Sequence, residues 1–284
     1  MINRFKKNIV FVFLFLLLIP IYSFAYEKRD KIDVSILPAI QFDTVAMKFV
    51  YKYTLQSSER SQQEVNRLLI NTSGAHSNAA SPLGWRFKDT SRVRQIFRPF
   101  AAWHAGWGNH PNGKLVPSHG NVEGTPYQVK PGQTLSGYSV ESMNPPGVVD
   151  FFAYGFRKLR TVEEAEANPY PVGHSSLDDA FRGKTIGPVI VTDTSSGGLI
   201  DRLIVLKDSM PGFGWITNQG IINSLNAKLS AAKGSIARGN HKTASDQLNA
   251  FINELNAQKG KQVNATAWAL LRANAEFLIH KLGE

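Results

Sequence analysis

Trp103-His104-Ala105-Gly106-Trp107-Gly108-Asn109-His110 is the densest run of chemistry-bearing side chains in the sequence, and His119 follows nine residues later. Three imidazoles from one loop, His104, His110 and His119, make a donor set for zinc with water as the fourth ligand. Their spacing follows no standard ligand pattern, and no His-Glu-x-x-His occurs, so ordinary loop histidines are the plainer reading. Trp103 and Trp107 with Tyr127 would make an apolar platform for sugar rings, with Asn109 supplying a polar contact. The competing expectation is that both tryptophans fill a core.

Other catalytic signatures fail on inspection. Gly173-His174-Ser175-Ser176-Leu177 has Leu177 where a nucleophile elbow needs its second glycine. Gly183-Lys184-Thr185 copies the end of a P-loop, yet Asp178 stands at the first glycine position and would repel phosphate. Glu163, Glu164, Asp178 and Asp179 offer carboxylates for glycoside hydrolysis, but they fall in a polar stretch that reads as a solvated face. No catalytic residue and no cofactor are assigned. The chain has no cysteine, which excludes disulfides, thiolate metal sites and a cysteine nucleophile.

The elements that must position these residues begin after an export signal. Arg4, Lys6 and Lys7 precede an apolar run from Ile9 to Ile19, then Pro20 and the exit Ser23-Phe24-Ala25. That run is shorter than the roughly 20 residues of a membrane span, so cleavage after residue 25 is expected, with no stable span afterwards. The leader carries three of the ten net positive charges. The remaining Lys and Arg are scattered among acids rather than gathered in a stripe, which argues against nucleic acid as a partner.

Residues 47–55 alternate: Phe49, Tyr51, Tyr53 and Leu55 on one face, with Lys48, Val50, Lys52 and Thr54 on the other. Further strands are predicted over 67–71, 85–87, 93–97, 135–140, 148–156 and 186–192. The turn signals between them are Ser81-Pro82-Leu83-Gly84, Lys130-Pro131-Gly132-Gln133 and Pro145-Pro146-Gly147. Short strands joined by turns predict an all-β antiparallel sandwich over 33–192. Residues 102–124 read as its longest loop and 161–184 as a second irregular stretch.

Thr194-Ser195-Ser196-Gly197-Gly198 reads as a linker, residues 193–198. A small all-α helical bundle is predicted over 199–284 from four apolar stripes, led by Leu199 and Leu203, Ile222 and Leu225, Leu248 and Phe251, and Leu271 and Leu278. Gly239 and Gly260 fit left-handed positions after their helices, and Asn264 or Thr266 fits a cap on the last.

This C-terminal region resembles the FIMAH-type domain, a helical module of exported bacterial and archaeal proteins. The resemblance rests on Ile222-Asn223-Ser224-Leu225-Asn226-Ala227-Lys228-Leu229, Gly239-Asn240, Leu248-Asn249-Ala250-Phe251-Ile252-Asn253-Glu254-Leu255, Gly260-Lys261 and Leu270-Leu271 with Ala273 and Ala275. It implies an accessory module and names no reaction. The N-terminal part is similar to sandwich domains of exported proteins through residues 81–85, 130–139 and 183–188. The expectation is an exported, non-enzymatic binding, adhesive or structural protein, with a polysaccharide or an extracellular protein as partner. The alternative is a small metal-dependent or carboxylate hydrolase with its site in the 102–124 loop.

Overall fold

The structure is a computed structural model that describes residues 31–72, 76–83, 85–89, 103–109, 128–156, 162–167 and 176–284. The expected leader (residues 1–25) and the strand expected at 93–97 lie outside these residues. Nine strands form two sheets among the described residues. One contains β1 (Val34–Asp43), β2 (Lys48–Ser57), β4 (Ser77–Ala80) and β7 (Thr134–Ser142), in the order β1-β2-β7-β4. The other contains β3 (Val65–Thr72), β5 (Trp85–Asp89), β6 (Trp103–Asn109), β8 (Pro146–Gly155) and β9 (Phe181–Pro188), in the order β5-β6-β3-β8-β9. Every strand pair is antiparallel.

The alternation read in β2 holds. Phe49, Tyr51, Tyr53 and Leu55 are all buried, and they meet Leu68 and Ile70 of β3, Tyr138 and Val140 of β7, and Val149 and Phe151 of β8 in one core. Gly132 takes φ 78° after Pro131, as the Pro-Gly turn requires. Gly137, at φ 109°, is the extra residue where β7 slips by one against Tyr53 and Thr54.

Several expectations are corrected. Residues 103–109 are not part of a loop but form β6, paired on both sides by β3 and β5. Pro145-Pro146-Gly147 is not a turn: Pro146 opens β8, a first position where a missing N–H is tolerated. β9 lies at 181–188 rather than 186–192, so Gly183-Lys184-Thr185 sits inside a strand. β1 is an additional strand; Pro38 obscures its alternation, and an edge strand accommodates that proline. The stretch 161–184 contains two short helices, α1 (Val162–Ala167) and α2 (Ser176–Asp179).

Four longer helices follow: α3 (Ser196–Ser209), α4 (Gln219–Ala237), α5 (His241–Gln258) and α6 (Ala265–Gly283). The expected linker is largely a helix start. Ser195 Oγ accepts the N–H of Gly198, so residues 196–198 are the first turn of α3. Asn218 and Asn264 cap α4 and α6 in the same way, and Gly239 and Gly260 take φ 73° and 72°.

α6 is buried on nearly every side, with Ala267, Leu270, Leu271, Ala273, Asn274, Ala275, Phe277 and Leu278 all inside. A helix apolar all round must be covered all round. Its partners are α3 and α5 on one side and β1, β8 and β9 on the other. β1 and β9 are the neighbouring edge strands of the two sheets, so α6 closes that side of the sandwich. The buried apolar cluster is continuous from β2 through α6 to α5.

Candidate functional site

The structure separates the residues that the sequence grouped. β3 registers Trp103 opposite Thr72, Ala105 opposite Ile70 and Trp107 opposite Leu68, and all three β3 residues are fully buried. His104, Gly106 and Gly108 alternate with them and register with Asn71, Leu69 and Arg67. Trp103, Trp107 and Asn109 therefore share one strand parity, while His104 belongs to the other. Tyr127, His110 and His119 lie outside the described residues. Among the described residues no group of three His, Asp or Glu converges as metal ligands.

The outer parity of the five-stranded sheet carries an ordered row of side chains. On β8 the outward positions are Asp150, Phe152 and Tyr154, and each takes a basic partner from a neighbouring strand. Lys184 Nζ lies 2.7 Å from Asp150 Oδ1. The Arg182 guanidinium stands 5.4 Å from the Phe152 ring centre, and that of Arg67 stands 5.1 Å from the Tyr154 ring centre. Register explains each pair, since Asp150 faces Lys184, Phe152 faces Arg182 and Tyr154 faces Arg67. Phe152 and Tyr154 are buried with Leu69 and Ala180, while the side chains of Arg182 and Lys184 remain 51% and 47% exposed. Stacking on a ring fixes the orientation of an arginine, and Arg182 Nη2 also lies 3.8 Å from Asp178 Oδ1.

A second polar constellation lies where helices meet sandwich. Arg202 of α3 donates to the Pro146 carbonyl (2.7 Å) and to Asn274 Oδ1. Asn274 Nδ2 donates to the same carbonyl (3.1 Å) and to that of Leu270 (2.8 Å). Burial pulls the Arg202 guanidinium below its ordinary pKa, and the Tyr51 hydroxyl nearby opposes the shift. The Tyr51 phenol is pushed well above its usual range, chiefly by burial, and donates to the Asn144 carbonyl (2.7 Å). Apart from the bond to Leu270 within α6, the contacts of Arg202 and Asn274 hold one element to another, so the group works as a fastening.

Neither constellation was assigned from the sequence. The row on β8 had a signal there, because Asp150, Phe152 and Tyr154 alternate with Val149, Phe151 and Ala153. An aromatic on both parities marks a strand covered on both faces. Arg202 and Asn274 had no local signal, since their partners are 56 and 128 residues away.

The fold and these surfaces define an antiparallel β-sandwich fused along one edge to a four-helix module. Residues 212–280 match the FIMAH domain, which spans α4, α5 and most of α6. That domain is found in exported proteins, and among the described residues no helix is long and apolar enough to cross a membrane. α3 and the whole sandwich lie outside the match. No curated protein matches the chain.

Proposed function

We propose that the protein is exported through residues 1–25 and acts as a binding protein, with the outer face of the five-stranded sheet as its ligand surface. The ligand is a polysaccharide or an extracellular protein. The observation that carries this reading is the half-exposed pair Arg182 and Lys184 on β9, held in register against Phe152 and Asp150 of β8, with Arg182 also paired to Asp178. Fixed donors lose little conformational freedom when a ligand arrives. On β6, Trp103, Trp107 and Asn109 hold the strand parity opposite to that of His104, which registers with Asn71.

The test is binding of residues 26–284 to an array of polysaccharides and matrix proteins, with an Arg182→Ala/Lys184→Ala variant alongside. A captured ligand whose affinity falls about tenfold in the variant supports the reading, a loss equal to about 1.4 kcal/mol. Capture unaffected by the variant removes the sheet face from consideration. Release of hydrolysis products from any array member would make the protein an enzyme and overturn the binding role.

A further inference from the structure

Residues 209–227 contain no Asp, Glu, Lys, Arg or His, and neither do residues 262–271, in a chain of which 19% is charged. The fold brings these two uncharged stretches together. Ile216 forms a bridge with Val263, and the Asn264 N–H donates to the Trp215 carbonyl at 3.0 Å. At the meeting point the loop Pro211-Gly212-Phe213-Gly214-Trp215 carries two aromatic rings, with centres 5.0 Å apart and planes tilted by 39°.

This loop is held rigidly. Met210 and Ile216, both fully buried, fix its two ends. The Met210 carbonyl accepts the N–H groups of Phe213 (3.2 Å) and Trp215 (3.0 Å). Gly214, at φ 67°, donates to the Pro211 carbonyl at 3.0 Å and turns the chain between the rings. Phe213 is 37% exposed, the one aromatic among the large apolar side chains exposed in the described residues. A Cβ added at Gly212 or Gly214 would meet nothing within 4 Å beyond its chain neighbours, so the backbone on either side of Phe213 borders open space. Trp268 offers a contrast, because Lys259 Nζ lies 3.3 Å and the Arg272 guanidinium 5.0 Å from its ring centre.

The surroundings of the pair are exposed and uncharged: Thr217, Asn218, Gln262 and Asn264. Asn218 and Asn264 use Oδ1 to cap their helices, which fixes each amide while its Nδ2 remains a donor. A preorganised ring flanked by neutral amides suits a pyranose, whose C–H face stacks on the aromatic while its hydroxyls meet the amides. Within these two stretches an anionic polymer would find no cation, Lys261 standing just outside the second. Protein interfaces enrich arginine among their aromatics, and these stretches contain none.

We propose that the Phe213–Trp215 loop is a binding subsite for a neutral polysaccharide, carried by the helical module and separate from the sheet face above. It does not depend on the ligand reading of the sandwich. Affinity electrophoresis of residues 26–284 in gels containing a soluble β-glucan, a mannan or a galactan tests it, with polygalacturonate as the anionic control. At least one neutral polymer retards the protein. Phe213→Ala weakens that retardation about tenfold, Phe213→Tyr keeps it within about twofold, and Arg182→Ala/Lys184→Ala leaves it unchanged. Since Phe213 belongs to no buried cluster, circular dichroism of Phe213→Ala should match the parent. Absence of retardation by every neutral polymer overturns the proposal, as does retardation indifferent to Phe213→Ala. Retardation lost only in the Arg182→Ala/Lys184→Ala variant assigns the sugar to the sheet face, which sustains the function proposed for the sandwich and rejects the loop.

Discussion

Truncating Phe277 to alanine should destabilise the sandwich and the helices together. The Phe277 ring, on the sandwich side of α6, meets Phe42 at 5.1 Å and Phe49 at 5.3 Å, both edge-on, in a buried site. Removing a buried phenylalanine ring typically costs about 3–5 kcal/mol, and this includes the loss of favourable edge-to-face geometry. Asn274 is still held one turn away by the Pro146 carbonyl, so α6 has little freedom to collapse into the space. We therefore expect a loss near the middle of that range, about 4 kcal/mol. For a chain of this size each kcal/mol lowers Tm by about 2–4 °C, giving a fall of roughly 8–16 °C. The informative assay is native-state hydrogen exchange of Phe277→Ala against the parent, comparing amides of β2 with amides of α5, a helix that does not touch the sandwich through Phe277. A continuous core makes both sets lose protection by similar free energies. If α5 keeps its full protection while β2 loses its own, or if the loss is below about 1 kcal/mol, the two units are energetically separate and the argument fails.

Asn274→Ala removes an acceptor from buried Arg202 and a donor from the Pro146 carbonyl, so chemical denaturation should show a loss of about 2–3 kcal/mol. Gly183→Ala would set a methyl 2.4 Å from the Phe151 ring, and overpacking there should lower the urea midpoint by the equivalent of about 1–3 kcal/mol. Residues 199–284 expressed alone expose the sandwich-facing side of α6, and sedimentation should find them self-associated rather than monomeric. The Glu141 carboxyl is held below its ordinary pKa of 4.5, first by the hydrogen bond from Lys48 and then by that from Asn78. A depressed carboxylate lends stability above its unfolded-state pKa and loses it as pH falls through the folded value. Urea midpoints should therefore drop on acidification below about pH 4.5, and Glu141→Gln should make that drop shallower.

Apolar patterning in the sequence located β2, β7, β8 and the four long helices within a few residues, because each has at least one face that must be covered. It misplaced β6, whose Gly106 and Gly108 suggest a loop when read alone but sit in a strand paired on both sides. Glycine is a poor strand former, and only the two neighbouring strands override that preference. Pairing of α6 with the sandwich was hidden for another reason. The stripe of Trp268, Leu271, Ala275 and Leu278 accounts for one face of α6, whereas Leu270, Asn274 and Phe277 form a second face that no single-stripe reading records. Of the candidate site, the aromatic and histidine run was visible by composition, but register divides it between opposite strand parities.

The edge covered by α6 also constrains when the molecule can fold. Among the described elements β1 comes first and α6 last, so the partners of that edge are as far apart in sequence as any two elements described. Until α6 has left the ribosome, the edge of β1 turned away from β2 lacks that cover. Synthesis runs from the amino terminus, so β1 can pair with β2 early while its contacts with α6 wait until residues 265–283 are made.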